Sequence, residues 1–109
     1  MSEVVVVVLF RVAPGRLEDG LAALAEVSVP THAEEGCLAY AAHRDPADRE
    51  RIVLIERRAT RAALDEHLAT PHLLAFRESS HDVWAEPAVI MVLDPVPAGD
   101  PSKGLLSGG

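Results

Sequence analysis

The run Val4-Val5-Val6-Val7-Val8-Leu9-Phe10 constrains the fold more than any other stretch of the chain. It is β-branched at five successive positions and has no polar residue on either parity. A strand with one wet face alternates apolar and polar side chains, whereas this one reads as a strand buried on both faces. Ile52-Val53-Leu54-Ile55 and Val89-Ile90-Met91-Val92-Leu93 repeat the pattern. None of these runs approaches the roughly 20 apolar residues needed for a membrane-spanning helix.

Between the apolar strands the periodicity changes. From Arg16 to about Ala33, Leu17, Leu21, Leu24 and Ser28 recur at helical spacing with Ala25 beside them, and Glu18, Asp19 and Glu26 fall outside that stripe. Pro30 is expected to kink or end this helix, and Gly36 to terminate the segment. Cys37 to Arg44 reads as a second strand and Arg51 to Arg58 as a third, joined as a hairpin through a longish Asp45-Pro46-Ala47-Asp48 loop. Thr60 is a candidate N-cap for a helix over Arg61 to Ala69. Thr70-Pro71 caps a further helix from His72 to about Val83, with Leu73, Phe76 and Ser80 on one face. Glu86-Pro87 breaks the chain before a last strand over Ala88 to Leu93.

The order strand, helix, strand, strand, helices, strand is that of an α+β, ferredoxin-like split βαβ domain with an antiparallel sheet. Right-handed crossovers put the helices on one face. The other face would then expose the second apolar parity of every strand, a patch that monomers avoid. A second copy packed sheet to sheet answers this, so a homodimer, a dimeric α/β barrel, is expected. The domain is assigned to residues 1–94. Residues 95–109, rich in Pro, Gly and Ser, are expected to form a flexible tail too polar to cover the sheet.

Charge and cysteine content narrow the partners. A net charge of −7 with no basic cluster disfavours nucleic acid and anionic membrane. One cysteine, Cys37, cannot form an internal disulfide, and the N-terminus lacks a signal-peptide pattern, so a cytoplasmic location is expected. Cys37 reads as a buried, inert thiol.

The chain has no phosphate-binding, dinucleotide-binding or zinc-protease motif. His67 and His72 are separated by a break at Pro71 and are not an i,i+4 metal pair, so no metal site is expected. His32, His43 and His81 read as surface residues. His67 lies next to Leu68 and one turn past Leu64, at the edge of the core-facing stripe. It is either a packed boundary histidine or an imidazole facing a cavity, where it could take a proton near neutral pH. Glu56 and Arg58, two apart on one strand, point to one face, as an ion pair or as a polar lip on a pocket. Tyr40 could reach the same layer, and Phe76 and Trp84 could wall it or simply be core.

These residues together resemble the antibiotic biosynthesis monooxygenase family. Glu35-Gly36-Cys37-Leu38-Ala39-Tyr40 is similar to one family block. Ile55-Glu56-Arg57-Arg58-Ala59-Thr60, followed by Ala63-Leu64-Asp65-Glu66-His67-Leu68 and Thr70-Pro71-His72-Leu73, is similar to a second. The resemblance spans about Val4 to Leu93. It implies a ferredoxin-like fold, a dimer, and monooxygenation of a small phenolic or quinol compound by molecular oxygen without a cofactor. It makes His67 the base or proton shuttle and Arg58 a group that could stabilise the substrate anion; taken with the pocket reading above, Tyr40, Glu56, Arg58, His72, Phe76 and Trp84 are the substrate-binding candidates. Arg58 stands where the family often has Trp. Haem-degrading members place an axial His where this chain has Arg77, with His81 one turn beyond, which weighs against haem. An isomerase of a dicarbonyl-type metabolite, or a non-catalytic ligand-binding dimer, would fit the same scaffold.

Overall fold

The computed structural model describes residues 3–106. β1 (Val4–Arg11) leads through a turn to α1 (Leu17–His32), then β2 (Cys37–Asp45), β3 (Asp48–Arg58), α2 (Arg61–Leu68), α3 (Pro71–Ser79) and β4 (Val89–Leu93). The four strands form one antiparallel sheet in the order β2-β3-β1-β4, the ferredoxin-like arrangement expected from the sequence.

Register decides which residues can build a site. Opposed residues of antiparallel strands share a face. Tyr40 opposes Glu56, Glu56 opposes Val6, and Val6 opposes Val92, so these four form one row across the sheet. The next rows on that face hold Val8, Leu54 and Ile90, then Phe10 and Ile52, with Val4 and Arg58 on the other side. The helices cover this face over β1 and β3 but leave Ile90 and Val92 of β4 exposed, and the core closes around Val6, Val8, Phe10, Val12, Leu24, Ile52, Leu54 and Leu64.

The opposite parity is half covered. Val7, Leu9, Val53 and Ile55 are half-buried, and Val89, Met91 and Leu93 of β4 are exposed. Burial of β1 on both faces is therefore not completed within one chain. The described part of the tail leaves β4 uncovered, with Val96 77% exposed. Residues 107–109 of the expected tail, and residues 1–2 of the expected domain, lie outside the described residues.

Several local expectations are corrected. α1 runs through Pro30 to His32. A proline in the last turn forgoes one backbone bond, and Thr31, fully buried, donates its hydroxyl to the Val27 carbonyl at 2.7 Å. The buried stripe of α1 is Gly20, Leu24, Val27 and Thr31, while Ala25 is exposed. The β2–β3 connection is a tight turn on Pro46-Ala47, because both strands extend further than their apolar centres indicate. α3 ends at Ser79, and Val83 donates its backbone N–H to the Ser80 carbonyl in the following turn.

Gly36 does not cap α1, whose C-cap is Ala33 in the right-handed region. Its role is close approach: a Cβ there would collide with the Cβ of Ala63 on α2. The Ala59 N–H to Gly36 carbonyl bond at 2.9 Å pins the same loop to the end of β3. The α1–β2 loop is thereby held against α2, which decides where Glu34 points.

Candidate functional site

Two threonine caps set the histidines. The Thr60 hydroxyl accepts from the Ala63 N–H at 3.0 Å and starts α2. Thr70 accepts from the Leu73 N–H at the start of α3 and donates to the His67 carbonyl at 2.8 Å. This junction holds His67, at the end of α2, and His72, at the start of α3, with ring centroids 6.2 Å apart.

A cavity of about 620 Å³ lies between the sheet and α2–α3. Val6, Val8 and Leu54 come from the sheet, and Phe10, Phe76 and Trp84 form an aromatic wall. The Phe10 and Trp84 centroids are 4.7 Å apart, and Phe76 meets Phe10 edge-on at 6.5 Å. Trp84 donates its indole N–H to Ser80 at 3.1 Å. The inner polar groups are Tyr40, Glu56 and His67, while the exposed Arg77, His81 and Glu86 stand on the solvent side. An apolar enclosure with a few convergent polar groups is the ordinary form of a small-molecule site.

Of the residues singled out in the sequence, Tyr40, Glu56, His67, Phe76 and Trp84 all line this cavity. Arg58 and His72 do not. Arg58 is completely buried, and each of its three guanidinium nitrogens is engaged: Nη1 donates to Glu34 Oε1 at 2.6 Å, while Nη2 and Nε donate to Glu56 Oε1 at 2.8 and 3.2 Å. It also sits 5.7 Å from the centroid of the Tyr40 ring, an additional cation–π contact. His72 borders a second recess, of about 500 Å³, whose lining also includes Asp19, Glu26 and Phe76.

Glu34 is the residue that sequence reading missed. It comes from the loop after α1 and meets both histidines. His67 Nδ1 lies 2.9 Å from Glu34 Oε2 and 3.1 Å from Oε1, and His72 Nε2 lies 2.5 Å from Oε2. The only local signal was its place two residues before Gly36; its neighbour Glu35 fits the family block but is exposed. Burial pushes the Glu34 carboxyl up, but hydrogen bonds from His67, His72 and Arg58 together outweigh it and hold the group below the usual carboxylate range. An ionised carboxylate only accepts, so His67 Nδ1 bears a proton in this arrangement. With Nδ1 engaged by Glu34, Nε2 is the ring nitrogen of His67 left without a side-chain or backbone partner among the described residues, and the residue lines the cavity.

Burial, reinforced by the Glu56 charge, drives the Tyr40 hydroxyl far above its ordinary value, so it remains an O–H donor. Burial likewise pushes the Cys37 thiol up, which keeps it in the unreactive thiol form.

Glu34, His67 and His72 offer three donor atoms within 4.8 Å of one another, a grouping not visible in the sequence because Glu34 is remote from the histidines. Zinc bonds of about 2.0–2.1 Å in tetrahedral geometry separate ligand atoms by roughly 3.3 Å. The 2.5 Å His72–Glu34 contact is well inside that, and the Arg58 guanidinium occupies the other carboxylate oxygen. As arranged, the three side chains share hydrogen bonds with one another and with Arg58.

The sequence model of the family described as antibiotic biosynthesis monooxygenase matches residues 3–79. A Mycobacterium tuberculosis protein named "Putative monooxygenase Rv0793" is 36% identical over 95 residues, covering 87% of this chain and 93% of that protein. The solved structure of Rv0793 superposes with a TM-score of 0.82 at 32% identity, covering 91% of this chain and all of that one. PA3566 of Pseudomonas aeruginosa superposes with a TM-score of 0.81 at 28% identity, covering 88% and 96% of the two chains. No helix among the described residues is long and apolar enough to cross a membrane. The chain belongs to the antibiotic biosynthesis monooxygenase family.

Proposed function

We propose that this protein is a cofactor-independent monooxygenase that oxidises a small phenolic or quinol compound with molecular oxygen. The observation that supports this most is that His67 lines an apolar, aromatic-walled cavity of about 620 Å³ with its Nδ1 held by Glu34, which leaves Nε2 as the nitrogen free to act as base. A quinol can supply all the electrons required: quinol plus O2 gives a hydroxyquinone plus water, one oxygen atom entering the ring and the other leaving as water. No external reductant enters this balance.

His67 Nε2 takes the phenolic proton, because the anion is the form that gives an electron to oxygen. The radical pair combines to a ring peroxide. His67 then returns its proton to the terminal peroxide oxygen; the ring C–H proton is lost as the O–O bond breaks and the carbonyl forms, and that proton joins the departing hydroxide to give water. The Tyr40 hydroxyl donates to the substrate oxygen as charge develops. Phe10, Phe76 and Trp84 stack against the ring and keep water away. Aromatic contact is thus available without the tryptophan that the family often has at position 58. Arg58 acts on the substrate only through the two carboxylates it fixes.

The functional unit in this reading is a homodimer, packed through the half-covered sheet face of Val7, Leu9, Val53 and Ile55 and the exposed β4. Ile55→Lys is expected to convert a dimer into a monomer by light scattering, and a monomeric unmodified protein would contradict it.

The test is oxygen consumption by the purified, metal-stripped protein against a panel of dihydroxynaphthalenes and polyketide phenols. Uptake abolished by His67→Ala supports the reading. Absence of uptake from the folded protein across the panel defeats it and favours an isomerase or a ligand-binding protein on the same scaffold.

A further inference from the structure

Two pockets that share only the Phe76 side chain are joined through three other side chains. His67 lines the cavity and His72 lines the recess between α1 and α3, and both rings donate to the same oxygen, Oε2, of Glu34. Glu34 has 16% of its side chain exposed, His67 3% and His72 24%, so only His72 has substantial contact with solvent.

The charges around that oxygen nearly balance. Arg58 bridges Glu34 and Glu56, which leaves the cluster one unit negative when both imidazoles are neutral. One imidazolium neutralises it; two would leave a net positive charge in a largely buried place, at a cost that burial magnifies. No other charged group among the described residues bonds to the cluster: Tyr40 and Cys37 from β2 stay protonated, Arg16 (paired with Asp19) and Glu26 line the outer recess, and Arg77, His81 and Glu86 stand on the solvent side of the cavity.

We propose that His72 is a positioning residue for proton transfer, exchanging one positive charge with His67 across Glu34. When His67 takes the substrate proton at Nε2, His72 releases its outer proton into the α1–α3 recess. When His67 gives its proton up, His72 takes one back. Protons balance at each step: one is gained by the pair from the substrate and one is lost to solvent, while the Glu34 carboxylate faces one imidazolium throughout. This matters once substrate fills the cavity, because Nε2 of His67 is then closed to water and the recess is the open side. The inference rests on His67 being the cavity base, as proposed above, but its geometry can be tested without turnover.

The test is a nitrogen-15 NMR titration of the histidine rings in the full chain and in His72→Gln. Glutamine can still donate to Glu34 but cannot take up a proton. Removing the competing imidazolium at a 6.2 Å ring separation is expected to raise the pH midpoint of His67 by about one unit. The same substitution in a Glu34→Gln background is expected to move it by much less, since the shared carboxylate is gone. The acid limb of oxygen uptake should move in the same direction as the NMR midpoint. A His67 midpoint unmoved in folded His72→Gln, or an equal shift with and without Glu34, would overturn the inference. If the unmodified protein consumes no oxygen, the monooxygenase reading fails and the NMR midpoints alone decide the coupling.

Discussion

Glu34 Oε2 lies 2.9 Å from His67 Nδ1, joining the end of the α1 segment to the end of α2 across 33 positions of sequence. The contact fixes which ring nitrogen bears the proton and therefore which one is offered to the cavity. Replacing Glu34 by Gln keeps the shape but removes the charge that favours imidazolium. Substrate-dependent oxygen uptake is expected to fall by about a hundred-fold in kcat with little change in KM, and Glu34→Asp to recover part of it. Steady-state kinetics of the two variants check this.

Gly36 controls the same contact from a distance. A side chain there meets Ala63, so Gly36→Val has to lift the α1–β2 loop from α2. A loss of about 1–3 kcal/mol of stability is expected, as for other overpacked sites, together with a larger loss of activity than the stability change explains. Urea denaturation alongside kinetics separates the two effects.

Ion pairs in this protein differ greatly in weight. Arg58 is fully buried between Glu34 and Glu56, so Arg58→Met strands two carboxylates and is expected to cost about 3–5 kcal/mol. Arg61 and Asp65 form a 3.5 Å pair with side chains 66% and 62% exposed, and Arg61→Ala is expected to cost under about 0.5 kcal/mol. Chemical denaturation of both variants ranks them.

Acid stability follows from Glu34. Its carboxyl is depressed in the folded state relative to an ordinary value of 4.5, so its stabilisation is present above that pH and is lost as pH falls through the folded value. The urea midpoint is expected to drop on acidification below about pH 4.5, and less steeply in Glu34→Gln. A residual slope is expected from Glu3 and Asp48, which Arg57 and Arg11 depress in the same way. Denaturation curves across the acid range test the difference in slope.

Much of the fold was legible because apolar periodicity is a local signal. β1, β3 and β4 were found from their apolar, largely β-branched runs, and α2 and α3 from Thr60 and Thr70-Pro71. The ends of elements were less legible: β2 and β3 continue through polar residues to Asp45 and Asp48, and α1 continues through Pro30, because tertiary packing sustains them. The cavity residues Tyr40, Glu56, His67 and Phe76 were found because each sits on a face set by strand or helix period, whereas Trp84, in the segment after α3, was singled out as a large aromatic. Glu34 was not, because its position depends on a loop held by Gly36 against Ala63, and no periodicity records that. Arg58 showed the limit in the other direction: its parity toward the helices was readable, but not that two carboxylates would enclose it.

The central claim is that His67 serves as the base for insertion of oxygen into a phenolic substrate. Turnover under isotopically labelled dioxygen, with product mass read for the unmodified protein and for His67→Ala, tests it most directly. The account predicts one labelled oxygen atom in the product and one in water, with both lost in His67→Ala. Product that gains no label, or gains it equally without His67, would contradict it.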